Sequence, residues 1–256
     1  MSKALLIVEG GRLEPRFFER MSKVCNLGLE IVSLRANIYR LYQKLKEYGF
    51  DYDVRVALRE LITDEETLAK LNDTYAYTYL IFDCDAHHAG IPKKGEVLPD
   101  IGEIVRENYG RIAEMIDYFT DETDPDRGRL FINYPMMESY RDCDSYDDVE
   151  FATCVVRLED LNHYKEIVGC RKMASRRIDE LEVSDFSAML RMQFAKAEQL
   201  KGAGQGAMSG VRAYNDGIQN EILTAQHDLL PSRVMSVLNT SLFLLLDYEG
   251  GFDLEL

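Results

Sequence analysis

The sequence predicts an α/β fold with a mostly parallel sheet flanked by helices, and three observations predict it. Short apolar runs alternate with helix-period segments through roughly the first 140 residues. Two of those runs end in acids, Glu9 after Ala4–Val8 and Asp83 with Asp85 after Leu80–Phe82. Beyond about residue 150 the strand signal fades, so residues 1–150 are expected to form the α/β unit and residues 151–256 a mainly helical C-terminal region. A chain of 256 residues has room for one compact domain with such an appendage.

Taken in order, Ala4-Leu-Leu-Ile-Val8 breaks into Glu9-Gly-Gly11, as a buried parallel strand does when it runs into a tight turn. Pro15 fits the first turn of the helix that follows, with Phe17, Met21, Val24 and Cys25 at helical spacing. Glu30 to Leu34 makes the second strand, and Ile38, Leu41, Leu45 and Tyr48 mark a helix that stops at Gly49. Tyr75, Tyr77 and Tyr79 alternate into Leu80-Ile-Phe82 as a third strand. After a Gly/Pro/Lys loop over 90–99, the apolar positions from Ile101 to Phe119 outline a long amphipathic helix. A polar turn over 121–128 leads to Leu130-Phe-Ile132 as the fourth strand. Helical patterns then run over 180–201, 211–227 and 232–248. The glycines of 201–207 follow no strand and precede no Gly-Lys-Ser/Thr, so they read as a hinge, not a phosphate loop.

Composition bounds the function. With 46% hydrophobic and 29% charged residues the chain is an ordinary globular one, and no stretch approaches the roughly 20 apolar residues of a membrane span. The N-terminus lacks a signal-peptide pattern, so a cytoplasmic location without a membrane partner is expected. Five widely spaced cysteines form no C-x-x-C pair and read as reduced thiols. The excess of 45 acidic over 30 basic residues, a net charge of −15, repels nucleic acid at long range, so any such contact must be local. One stretch has the opposite sign: Lys165, Arg171, Lys172, Arg176 and Arg177, with Glu166 as its acid. It reads first as a solvated helix face and otherwise as a phosphate track.

Ligands of open parallel sheets bind beyond the carboxyl ends of the strands. If the first and third strands are neighbours, Glu9, Asp83 and Asp85 crowd together, which is tolerable only with a bound cation or with raised pKa values. Oxygen-only donors favour Mg²⁺ or Mn²⁺ over zinc. The i, i+2 spacing keeps both aspartates on one side while the strand persists. Each acid taken singly is equally a cap or turn former. Glu14 reads as a helix N-terminal charge, His87 and His88 as a solvated pair, and Glu138 either as a fourth metal or substrate contact or as a surface residue. Asp121–Asp126 lacks the spacing of a calcium loop.

Ile7-Val-Glu-Gly-Gly11 with the later Ile81-Phe-Asp-Cys-Asp85 resembles the toprim domain of topoisomerases, primases and the overcoming-lysogenization-defect and maturation nucleases. The resemblance implies that Glu9 transfers a proton or binds metal and that Asp83 and Asp85 hold Mg²⁺. Glu9-Gly-Gly-Arg-Leu-Glu-Pro-Arg-Phe-Phe18 is similar to the opening of the RloB-like abortive-infection proteins, with Leu13 where they carry threonine. Asn133-Tyr-Pro-Met-Met-Glu-Ser139 resembles their Asn-Pro-aromatic-Glu segment, with Tyr134 as an extra residue. The likeness covers residues 4 to 140. A topoisomerase would need a strand-passage domain that 256 residues leave little room for, and a bacterial-type primase a zinc ribbon.

What remains implied is a metal-dependent nuclease hydrolysing DNA or RNA phosphodiesters in bacterial anti-phage defence, with Glu9 catalytic and Lys165, Arg171, Lys172, Arg176 and Arg177 holding substrate. The rival expectation is a non-catalytic toprim-like partner subunit whose C-terminal helices dock an ATPase supplied in trans, since this chain carries no nucleotide-binding motif. Self-association is open in either case.

Overall fold

A computed structural model describes residues 3–88, 99–120, 127–202 and 217–248. The chain runs β1 (Ala4–Val8), α1 (Leu13–Val24), β2 (Leu29–Ser33), α2 (Ile38–Glu47), α3 (Val54–Leu61), α4 (Glu65–Leu71), β3 (Tyr77–Asp83), α5 (Ile101–Phe119) and β4 (Arg129–Tyr134). Then come β5 (Val155–Arg157), α6 (Tyr164–Gly169), α7 (Val183–Leu200), α8 (Ile218–Asp228), β6 (Val234–Ser236), β7 (Leu238–Asn239) and α9 (Leu244–Asp247). The main sheet has the order β2-β1-β3-β4-β7. Its first four strands are parallel, and β7 closes the edge antiparallel to β4.

The continuous apolar runs of β1 and β3 have a simple cause, because strands covered on both faces have no solvent side to make polar. Every residue of β1 is fully buried, whereas the edge strand β2 is largely half-buried. From β1 the chain steps one way to β2 and then back past β1 to β3. Right-handed crossovers therefore put α1 on one face and α2 and α5 on the other. In agreement, α2 packs on α5, and α1 on α7. Phe17, Phe18 and Met21 of α1 and Tyr39, Leu41, Tyr42 and Leu45 of α2 supply the buried stripes.

The four parallel strands, the long helix and the helix of 180–201 lie within a few residues of their expected places. Two helices, α3 and α4, had no counterpart in the hydrophobic pattern. Their signals were N-caps: Asp53 accepts from the Arg55 N–H at 2.8 Å, and Asp64 from the Thr67 N–H at 2.8 Å. The expected helix over 232–248 is corrected. That stretch begins with β6 and β7, turns through a 3-10 segment at Thr240–Phe243 and ends in the short α9. An apolar run buried on all sides has no period to separate strand from helix. Tertiary partners decide it here, since β6 pairs with β5 and the Gln226 amide clamps Ser236, donating to its carbonyl at 2.8 Å and accepting its N–H at 2.9 Å. The helix expected over 211–227 is α8, beginning at Ile218, with 211–216 outside the described residues. The expected loops over 90–98 and 121–126 and the hinge residues 203–207 also lie outside them. No helix among the described residues is long and apolar enough to cross a membrane.

Two glycines test this packing from opposite directions. Gly128, at φ +89, leads into β4 so tightly that a Cβ would stand 2.6 Å from the Thr78 carbonyl oxygen of β3. Gly110 in the middle of α5 has nothing within 4 Å of that position. Gly128→Ala should cost about 2 kcal/mol or more, from the left-handed backbone and the clash, while Gly110→Ala should gain about 0.5–1 kcal/mol. Urea unfolding midpoints of the two variants should move in opposite directions.

Candidate metal centre

β1 and β3 run parallel, but the connections leaving them go to opposite sides of the sheet, which opens a crevice at their carboxyl ends, the topological switch point of an open α/β sheet. The register places Val8 beside Ile81, so Glu9 emerges next to the end of β3. Its Oε2 accepts the Asp83 backbone N–H at 3.2 Å. The loop after β3 is anchored on four sides. Cys84 N–H donates to the Asn133 carbonyl at 2.8 Å, Asp85 N–H to the Pro135 carbonyl at 3.1 Å and Tyr39 Oη to the Cys84 carbonyl at 2.6 Å. Asn108 of α5 donates to the carbonyls of Ala86 and His88. Asp83 is buried, and the Asn133 amide donates to its Oδ1 at 3.4 Å.

A cleft of about 860 Å³ lies over this edge, lined by Glu9, Glu14, Asp83, Asp85, His87 and Lys165 together with Arg12, Arg35 and the Gly10–Gly11 turn. Asp85 does not continue the strand as its spacing suggested. β3 ends at Asp83, and Asp85 has φ +37, so the turn rather than the strand pleat aims its side chain. Glu138 lies in a 3-10 turn after β4, is buried, and pairs with Lys165 Nζ at 3.1 Å. Its charge is felt at Asp83, Asp85 and Glu14.

Glu14 corrects the sequence reading of a helix-end charge. It is buried, lines the cleft and accepts the Gly10 N–H at 3.1 Å through Oε1. A Cβ on Gly10 would stand 2.3 Å from Glu14 Oε2, so this glycine makes space for a carboxylate. The clue was the joint occurrence of Gly10 and Glu14, one helical turn apart. His87 also differs from a solvated histidine, being half-buried at the cleft with its Nδ1 enclosed and lacking a hydrogen-bond partner. His88 is exposed and stacks on Tyr39.

Of the five basic residues in the 165–177 stretch, Lys165 lines the cleft. The other four stand against acids of their own neighbourhood. Arg171 bonds buried Asp142 at 2.8 Å, Lys172 faces Asp144 at 3.4 Å, Arg176 holds Asp185 at 2.6 Å, and Arg177 lies 3.8 Å from both Asp179 and Glu180.

Crowded carboxylates in a half-closed cleft cannot all ionise cheaply. Burial, then the charge of Asp85, pushes Glu9 up to about 8, against the opposing pull of the Asp83 N–H. Burial, then Glu9, Asp85 and Glu14, drives Asp83 well above the carboxylate range. Burial likewise raises Glu14 and Asp85, the latter opposed by His87 and Lys165. Desolvation pulls Lys165 down, but Glu138, Asp83 and Asp85 outweigh it and hold its ammonium above the ordinary value. Among the described residues no three His, Cys, Asp or Glu side chains stand as a ready ligand set. The donors nonetheless fit a hard divalent cation by chemistry, being carboxylate oxygens whose mutual repulsion one Lys165 ammonium leaves largely unrelieved. Comparison of the chain with protein-family models, curated proteins and solved structures yields no match.

These shifts set a pH dependence. Between the ordinary glutamate value and about 8, folded Glu9 keeps a proton that the unfolded chain has lost, so its contribution to stability falls as pH rises through that window. Glu9→Gln should therefore melt higher than the parent at pH 8.5 and nearly level with it at pH 4, by about 2–4 °C for each kcal/mol recovered. Millimolar Mg²⁺ or Mn²⁺ should raise the parent's melting temperature more than that of Glu9→Gln or Asp83→Asn. Equal shifts in all three would remove these carboxylates from cation binding.

Proposed function

We propose that this chain is a toprim-type, metal-dependent nuclease that hydrolyses nucleic-acid phosphodiesters, in keeping with a role in bacterial anti-phage defence. The observation that carries the reading is the meeting of Glu9 and Asp83 at the β1–β3 switch point, with Asp85, Glu14 and Glu138 close enough to repel them. The order of the motif residues, their strand ends and their common cleft agree with the toprim resemblance. Asp83, Asp85 and Glu9 would hold Mg²⁺ or Mn²⁺, with Glu138 and Glu14 as adjoining carboxylates. A divalent cation bound there would offset phosphate charge and make water more acidic.

The chain's own groups have separable tasks. Glu9, which carries its proton up to about pH 8 when no cation is present, would be ionised by a neighbouring cation and accept a proton from the attacking water. That water's oxygen forms the new bond to phosphorus as one P–O ester bond breaks, the bonding pair leaving with the ester oxygen, which takes a proton from solvent. Asp83, buried, is fixed by Asn133, and Asp85 is aimed at the same cleft by a turn whose backbone Pro135 holds. Lys165, tethered to Glu138, puts a positive charge beside the carboxylates where a phosphate oxygen would lie.

A second reading, a toprim-like partner subunit that docks an ATPase and does no chemistry, is favoured by the lack of a ready ligand set among the described residues. One experiment separates the two. Purified protein incubated with DNA and RNA in Mg²⁺ or Mn²⁺ should cut at least one of them, and Glu9→Gln should lower the rate by about 10²–10⁴. Absence of cleavage with both cations, or equal cleavage by the variant, would overturn the nuclease reading.

A further inference from the structure

Two guanidiniums at the mouth of the cleft are not accounted for by the metal carboxylates or by the 165–177 stretch. Arg12 follows the Gly10–Gly11 turn and Arg35 follows β2; both line the cleft and both are exposed. Among the described residues neither side chain makes an ion pair or a hydrogen bond. Arg171, Lys172, Arg176 and Arg177 by contrast have carboxylate partners. Asp64 feels the charge of Arg35 but is engaged in capping α4.

Arg35 is also held in place at a cost. Its φ is +53, the left-handed region that disfavours a long side chain by about 1–2 kcal/mol. The backbone is pinned there because Leu34 N–H donates to the Val8 carbonyl at 2.8 Å and Arg35 N–H to the Glu9 carbonyl at 2.9 Å. The side chain then lies along the glycine turn, with Nε 3.6 Å from where a Cβ on Gly11 would be. A strained arginine tied to the backbone of Glu9, with no ion pair or side-chain hydrogen bond among the described residues, is set to meet an anion from outside. The lining contains no Phe, Tyr or Trp among the described residues, and its aromatic ring is that of half-buried His87, so phosphate contacts from the arginines outweigh base stacking there.

We infer that Arg12 and Arg35 grip the phosphates of a nucleic-acid strand at the cleft mouth, and that the strand is held through its backbone without regard to base. This rests on the nucleic-acid reading above. The two arginines supply the local positive charge that a chain of net charge −15 needs, both in the cleft that holds Glu9.

The test is binding of fluorescein-labelled dA, dT and rU 12-mers to the full chain, with Ca²⁺ replacing Mg²⁺ to slow cleavage, across a salt series. The parent should bind the three strands within about threefold of one another. Arg12→Gln and Arg35→Gln should each reduce the salt slope by about 0.7 and weaken all three equally, by about fivefold at 0.1 M salt. Lys23→Gln, an exposed position of α1 outside the cleft lining, should change neither. Arg35→Gly separates function from folding, because it relieves the left-handed strain and should melt higher than the parent while binding as weakly as Arg35→Gln. Unchanged slopes in both arginine variants, a preference above tenfold for one base, or a lower melting temperature in Arg35→Gly would overturn the inference and leave the nuclease reading standing. No binding of any strand by the parent would overturn both.

Discussion

Parallel pairing of β1 with β3 is the constraint on which the acidic cleft depends. Since β2 lies on the far side of β1, the chain must reverse direction across the sheet to reach β3, and the two connections diverge above the shared edge. That divergence makes room for side chains where a densely packed α/β core would otherwise close. The bond from Asp83 N–H to Glu9 Oε2 registers the end of one strand against the other. The remaining features of the site are adjustments around this pair: a glycine that admits Glu14, a turn that redirects Asp85, and anchors from α2 and α5 that fix the loop after β3.

The energetics run against folding at the acidic cleft. Like charges brought together out of water raise each other's pKa values, and the protein tolerates the cluster because the rest of the sheet is apolar and closely covered. Burial and mutual repulsion favour the protonated forms of Glu9 and Asp83 there. Ion pairing elsewhere follows a different logic, with surface arginines and lysines matched to nearby acids.

Much of the sheet was legible from sequence because β1 and β3 are buried on both faces and so are written as unbroken apolar runs ending in polar turns. Glu9, Asp83 and Asp85 were legible for the same reason, as acids at strand ends. Glu14 was not, because a glutamate in a first helical turn has a common electrostatic explanation, and its distinguishing neighbour is the empty space at Gly10. The strands β6 and β7 were not legible either. They pair with β5 and β4, far away in sequence, and side-chain amides add to that pairing, as when Gln193 Oε1 accepts the Asn239 N–H at 2.8 Å. The basic stretch was visible as a run of charge, but the run does not reveal which acids will face it.

The floor of the cleft also has a history within the chain. Asn133 donates to Asp83 with its amide nitrogen and, with its amide oxygen, accepts the backbone N–H of Ser241, 108 residues further on; Thr240 bonds the Ile132 carbonyl at 2.7 Å. A ribosome adding about 5–20 residues each second would release the four parallel strands several seconds before this last support. During that interval the nascent chain holds its acidic residues without the contact that fixes the amide beneath Asp83. The site is therefore completed late in synthesis, when residues 239–241 have reached the edge of the sheet.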